Sequence, residues 1–259
     1  MKYYVVDAFT QCVFGGNPAG VCVLEEPLSR EIMQYIAAEN NLSETAFVYK
    51  NKVGKYDLRW FTPKAEIDLC GHATLGTAFV VSHFVDPCVQ GMEFSTLSGI
   101  LTVKRKGNLF EMDFPRRIPE KINITQEMIE AAGVKAKEAY LSRDLILVFE
   151  DEDSVVNLNP DFQKVLELEV GLGLVATARG SKYDFVSRCF YPKLGVNEDP
   201  VTGSAHSSLI PLWAEKLERS TLRAKQVSNR GGELFCENAD ERVKIAGEAI
   251  LYLQGEINL

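Results

Sequence analysis

Nowhere in the 259 residues does an apolar run approach the ~18 residues of a membrane-spanning helix, so the pattern excludes a helical membrane protein. The six cysteines, Cys12, Cys22, Cys70, Cys88, Cys189 and Cys236, form no CxxC pair, and so scattered they read as free thiols rather than a disulfide framework. Histidine is scarce, with three in the chain, and Cys70 with His72 supplies two ligands where a zinc site wants three or four. No metal site is therefore expected. Clusters of Lys and Arg are missing as well. A net charge of -8 spread without long runs argues against partners such as nucleic acid or an anionic membrane surface. The opening strand-like run, Lys2 to Phe9, shows no signal-peptide pattern, which together with free thiols points to a reducing cytoplasm.

What is present is a soluble globular composition, 46% hydrophobic and 25% charged, with ample core for one large domain or two ordinary ones. A repeated device favours two. Phe61-Thr62-Pro63-Lys64 leads into Cys70-Gly71-His72-Ala73-Thr74, and Phe190-Tyr191-Pro192-Lys193 leads into Thr202-Gly203-Ser204-Ala205-His206. The lead-in Lys55-Tyr56-Asp57 is echoed by Lys182-Tyr183-Asp184. A period of roughly half the chain means a duplicated domain, not a solenoid with its repeat of about 20 to 50 residues. From Gly71 to Phe84 the residues are small or apolar on every side, which predicts a helix buried all round and wrapped by sheet. The second device starts the same way, with Glu215 and Lys216 taking its far end to solvent. The expected fold is α/β (α+β): two pseudo-symmetric halves, each a curled, mostly antiparallel sheet around a central helix, with the active site in the cleft between them.

The Pro-punctuated stretch Phe114 to Pro119 reads as a linker, dividing the chain into residues 1–116 and 117–246. A further strand from Ala249 to Leu253 is one more than the repeat accounts for, so residues 247–259 are expected to return and complete the first half. Ser29 is the expected N-cap of a helix through Ala38, Leu42 to Tyr49 reads as a strand, and Thr125 to Ala132 as a helix stopped by Gly133. Asp144 to Phe149 reads as a strand, and Pro160 to Leu168 as a helix with proline in its first turn.

Helix N-termini carry unpaired N–H groups and partial positive charge, so two of them facing one ligand would clamp a carboxylate, with Gly71 and Gly203 letting the backbone come close. Ordinary packing glycines are the competing reading. Glu44 shares an apolar strand face with Ala46 and Val48, where a raised carboxyl pKa would suit a general base; a plain strand-edge carboxylate fits the pattern equally. His72, at a helix start, is expected to have its imidazole kept largely neutral by the positive helix end, which suits a proton relay or a hydrogen-bond donor to a substrate carbonyl; a buried histidine satisfied by the backbone is the competing reading. Asp199 and Ser204 flank the second helix start, where an acid and an N-cap are expected on structural grounds alone.

Taken together, the runs Asp7-Ala8-Phe9-Thr10, Phe14-Gly15-Gly16-Asn17-Pro18-Ala19-Gly20-Val21, Asn41-Leu42-Ser43-Glu44-Thr45-Ala46-Phe47, Cys70-Gly71-His72-Ala73-Thr74, Glu198-Asp199-Pro200-Val201-Thr202-Gly203-Ser204-Ala205 and Arg230-Gly231-Gly232 resemble the phenazine-biosynthesis PhzF family, from about Asp7 to Gly255. The resemblance implies the diaminopimelate-epimerase-like fold, a homodimer, and isomerase chemistry without a cofactor on a small carboxylic acid. By the same resemblance Glu44, His72, Asp199 and Ser204 form the acid-base set, and Asn17, Gly71, Ala73, Thr202 and Gly203 the substrate-binding set. Phenazine synthesis itself is not entailed. A two-thiol racemase would need a thiol at both helix starts; Cys70 stands at the first and Thr202 at the second, which disfavours symmetric two-base racemisation. The alternatives left are a one-thiol racemase or epimerase using Cys70 with Glu44, and a non-catalytic small-acid-binding protein of the same fold.

Overall fold

The computed structural model describes residues 1–259, which divide into two compact units: Met1–Asp113 with Ala246–Leu259, and Phe114–Ile245. In the first unit the strand Lys2–Ala8 lies between Ala249–Glu256 and Asn17–Leu24, antiparallel to both. Asn17–Leu24 then runs parallel to Glu44–Lys52, the crossover being made by the helix Arg30–Asn40. A tight hairpin brings Lys55–Phe61 back antiparallel, and a second crossover through the helix Gly71–Val80 sets Gly91–Thr96 parallel to it. Hairpins add Gly99–Lys106 and Leu109–Pro115. The alternation follows from chain geometry, since two residues can join antiparallel strands whereas parallel neighbours need a long crossover.

The second unit repeats this order of pairings. Glu138–Leu141 lies antiparallel between Glu120–Ile122 and Leu145–Val148, and Leu145–Val148 runs parallel to Leu174–Arg179 after the short helices Glu152–Val156 and Phe162–Glu167. Phe185–Tyr191 returns antiparallel, the helix Gly203–Leu217 crosses over, and Thr221–Gln226 lies parallel before turning into Gly232–Ala239. The C-terminal strand Ala249–Glu256 thus does for Lys2–Ala8 what Glu120–Ile122 does for Glu138–Leu141. The internal echo in the sequence is an echo of sheet topology.

Both central helices are buried through their first turns except at half-buried Ser204, as their apolar composition demands. Pro211 sits inside the second and has no N–H to offer the Ser207 carbonyl one turn back. That oxygen is instead satisfied from outside the helix by the Arg117 N–H at 3.0 Å.

Several boundaries differ from the sequence expectations for local reasons. The helix from Gly71 leaves α-geometry at Val80 and continues as a π-helical turn, Val81–Val85, closed by Asp86 N–H on the Val81 carbonyl at 2.7 Å. Asn41 adopts a left-handed conformation (φ 50°) to end its helix, so the next strand begins at Glu44 and not at Leu42. The helix expected from Pro160 begins at Phe162, because Asp161 takes the N-cap position and leaves the proline outside.

Candidate active site

Within the first unit the fold brings Asn17, Glu44, Cys70 and His72 together. Glu44 opens its strand directly after the Asn41 reversal and pairs in register with Ala19 of the neighbouring parallel strand. Asn17 lies two residues earlier in that neighbour, and His72 is the second residue of the central helix. The imidazole is the hub: Nε2 lies 3.0 Å from Glu44 Oε2, while Asn17 Nδ2 stands 3.2 Å and Cys70 Sγ 3.6 Å from Nδ1. Neither His72 Nε2 nor Glu44 Oε2 has another polar partner, and their side chains are only 7% and 17% exposed.

The proton inventory follows from those contacts. The Asn17 amide nitrogen facing Nδ1 can donate only to a neutral ring with its proton on Nε2, aimed at the Glu44 carboxylate; the doubly protonated ring keeps Nε2–H there but needs the Asn17 amide oxygen turned towards Nδ1–H. Burial by itself disfavours the imidazolium, but the Cys70 sulfur and the Glu44 carboxylate outweigh it and hold the His72 pKa well above the usual range, the opposite of the neutral ring expected from the helix start alone. Burial pushes the Cys70 thiol up, and nearby Glu44 adds to the shift. Cys70 is therefore a weakly acidic thiol despite standing at a helix start, where the dipole would favour thiolate.

Glu44 adds a third potential ligand to the pair recognised in the sequence, so Glu44, Cys70 and His72 share a donor set a soft divalent ion would accept. The thiol, however, contacts Nδ1 and the carboxylate Nε2, opposite nitrogens of one ring. Such an arrangement suits proton relay better than a single cation.

In the second unit Asp199 ends the strand Val196–Asp199, and after Pro200 and Val201 come Thr202, Gly203 and Ser204 at the start of the central helix. Thr202 Oγ1 donates to Asp199 Oδ2 at 2.5 Å. A residue not singled out in the sequence organises this turn. Gln226 is fully buried; its Oε1 accepts from Thr202 N–H at 2.9 Å, and its Nε2 donates to the Asp199 carbonyl at 2.6 Å and to Thr202 Oγ1 at 3.2 Å. The signal that would have found it is alternation: Leu222 and Ala224 face the core, and the next inward position carries an amide.

Capping separates the helices into two groups. Ser29, Thr125, Asp151 and Asp161 each accept a first-turn N–H of the helix they precede. Cys70 and Thr202, at the N-cap positions of the two central helices, do not. Their first turns thus keep N–H donors and positive dipole ends free of a side-chain acceptor, which is what an anion requires.

Gly16 supports the first cluster from behind. Its φ is +61°, and a Cβ there would lie 2.1 Å from the Ala8 carbonyl oxygen, so only glycine allows the chain to turn into Asn17. Gly16→Ala is expected to cost about 1–3 kcal/mol by forcing the backbone apart, read as a lower midpoint in urea, and to displace the Asn17 amide from His72.

A family model described as phenazine biosynthesis-like protein (PhzC-PhzF) matches residues 6–255. A curated relative, named an uncharacterized isomerase of Pseudomonas aeruginosa, is 48% identical over 259 residues, covering 100% of this chain and 99% of the relative. A crystal structure of a phenazine biosynthesis protein of the PhzF family from Enterococcus faecalis superimposes with a TM-score of 0.97 at 52% identity, covering 100% of this chain and 99% of that one. At the level of fold alone the likeness extends to a probable proline racemase from Agrobacterium radiobacter, with a TM-score of 0.68 at 7% identity, covering 100% of this chain and 93% of that one.

Proposed function

The chain belongs to the phenazine biosynthesis-like PhzC-PhzF family, and from that premise we propose that it is an isomerase that moves a proton along a small unsaturated carboxylic acid. Glu44 is the base: it takes a proton from a substrate carbon, holds it as the neutral acid and returns it to another atom of the same molecule. The observation that carries this reading is the Glu44–His72 contact of 3.0 Å, nearly sealed from water and adjoining an uncapped helix start. Exclusion of water protects a carbanion-like intermediate from adventitious protonation.

His72 has a supporting role in this scheme. Its Nε2–H donates to the ionised form of Glu44 before abstraction and to the unprotonated oxygen of the neutral acid afterwards, while Asn17 orients the ring. The helix starts at Gly71, with Ala73, and at Gly203 each offer N–H donors to an anionic group of the substrate, whereas the Thr202 N–H is already held by Gln226. Asp199 and Ser204 relay protons between the substrate and Glu44, so that one proton leaves the substrate and one returns.

A one-thiol racemase is the second reading, favoured by the 3.6 Å contact of Cys70 with the same ring. Solvent deuterium separates the two. In D2O the isomerase yields a shifted double bond, with deuterium at the new C–H to the extent that the Glu44 carboxyl proton exchanges with solvent before its return, whereas a racemase leaves the double bonds in place and labels the stereocentre it inverts. Cys70→Ala is expected to lower the isomerisation rate by less than about tenfold, because the thiol acts on Glu44 only through the imidazole. Loss of all exchange in that variant would transfer the role of base to Cys70.

A further inference from the structure

Thr202 occupies an N-cap position and has the right side chain to cap, yet it leaves its own helix open. Backbone geometry does not forbid capping. Asp161, with a comparable extended ψ of 102° against 91° at Thr202, caps its helix through Gln163 and Lys164 N–H. What differs is that the Thr202 hydroxyl is engaged from behind. It donates to Asp199 Oδ2 and accepts from Gln226 Nε2, while Gln226 Oε1 takes the Thr202 N–H. The same amide holds the Asp199 carbonyl at 2.6 Å and receives the Cys189 thiol at 3.6 Å, so its hydrogen-bonding capacity is filled.

We propose that Gln226 is a positioning residue that keeps Thr202 turned away from its helix, so that the N–H groups of Gly203, Ser204 and Ala205 stay open to a substrate carboxylate. This rests on reading that helix start as an anion holder. A self-capped helix would be the more stable isolated arrangement, since the threonine oxygen would satisfy a first-turn N–H. Gln226 therefore maintains an open helix end for a ligand at the expense of that local bond. The amide does not touch substrate; it acts through Thr202 and the Asp199 turn.

The test uses malonate as the carboxylate probe, titrated into the full-length protein and followed by the backbone amide shifts of Gly203, Ser204 and Ala205. Wild type is expected to show saturable shifts. Gln226→Leu releases the Thr202 hydroxyl to cap, and the dissociation constant should rise about tenfold. Removing that hydroxyl in the double variant Gln226→Leu with Thr202→Val should restore most of the affinity, which a simple slump of the turn would not allow. Gln226→Glu guards against misfolding of the leucine variant. Its carboxyl can still donate when protonated but not when ionised, so malonate affinity should fall with rising pH more steeply than in wild type.

Unchanged affinity in both single variants, a loss that Thr202→Val fails to reverse, or no malonate shift in wild type would each overturn the proposal. Proton transfer by Glu44 is read separately, by solvent exchange, and its failure would leave the binding result standing.

Discussion

Replacing Glu44 with Gln should lower isomerisation and solvent exchange by about 10³-fold, within the range general acid–base catalysis supplies, while the melting temperature stays close to that of wild type. The amide is isosteric and still offers an oxygen to His72 Nε2–H, so the buried contact at 3.0 Å keeps a partner. It has no basic oxygen to take a proton from carbon. Carboxylate binding should survive, because the helix-start N–H groups do not depend on Glu44. Mass spectrometry of candidate unsaturated acids incubated in D2O measures the first quantity, and thermal unfolding the second. Undiminished exchange in a folded Glu44→Gln protein would remove the proposed mechanism.

Acid should weaken the second unit through His206 by up to about 3 kcal/mol, a value set by the size of its pKa shift. The ring is fully buried against Phe185; its Nδ1–H donates to the Thr202 carbonyl at 2.8 Å, and Nε2 has no partner. Burial pushes the pKa down to about 4 from an ordinary 6.5. Between those values the unfolded chain binds a proton that the folded one refuses. Stability is therefore intact above about pH 6.5 and is lost progressively as pH falls towards 4. His206→Leu gives up the bond to Thr202 but removes this linkage. Urea midpoints of both proteins at pH 7 and 4.5 measure the effect, and parallel losses in the two would refute it.

His206 also shows how far a repeat can mislead. The two devices align Gly71-His72-Ala73 with Gly203-Ser204-Ala205, and the second device then carries a histidine of its own one residue later. Rotation about the helix axis separates their fates. His72, in the second helical position, meets Glu44 at the mouth of the first turn, whereas His206 turns inward onto Phe185 and bonds back to its own helix. A shift of two residues on a helix moves a side chain by about 200°, to the far face.

Much of the architecture was legible. The all-round apolar run from Gly71 could only be a buried helix, and its recurrence at Gly203 marked two units of like construction. Ser29 and Thr125 were readable as caps because a cap needs only the local chain. Boundaries at Leu42 and Pro160 were not, since a left-handed Asn41 and an Asp161 cap shift each start by two residues. The π-helical turn after Val80 left no mark in composition.

By itself the sequence determined the family, the α/β class and the residue types available to the chemistry, because periodicity, turn residues and ordered motifs are local properties of a chain. The tertiary structure alone decided what those residues touch. Asn17, Glu44 and His72 lie far apart in sequence and meet because parallel pairing sets Ala19 beside Glu44 and a crossover helix delivers His72 above them. Gln226 likewise reaches Thr202 only through the parallel return of its strand, which carries its amide behind the helix start. Spacing along a chain specifies elements, but strand register and helix rotation place one side chain within 3 Å of another.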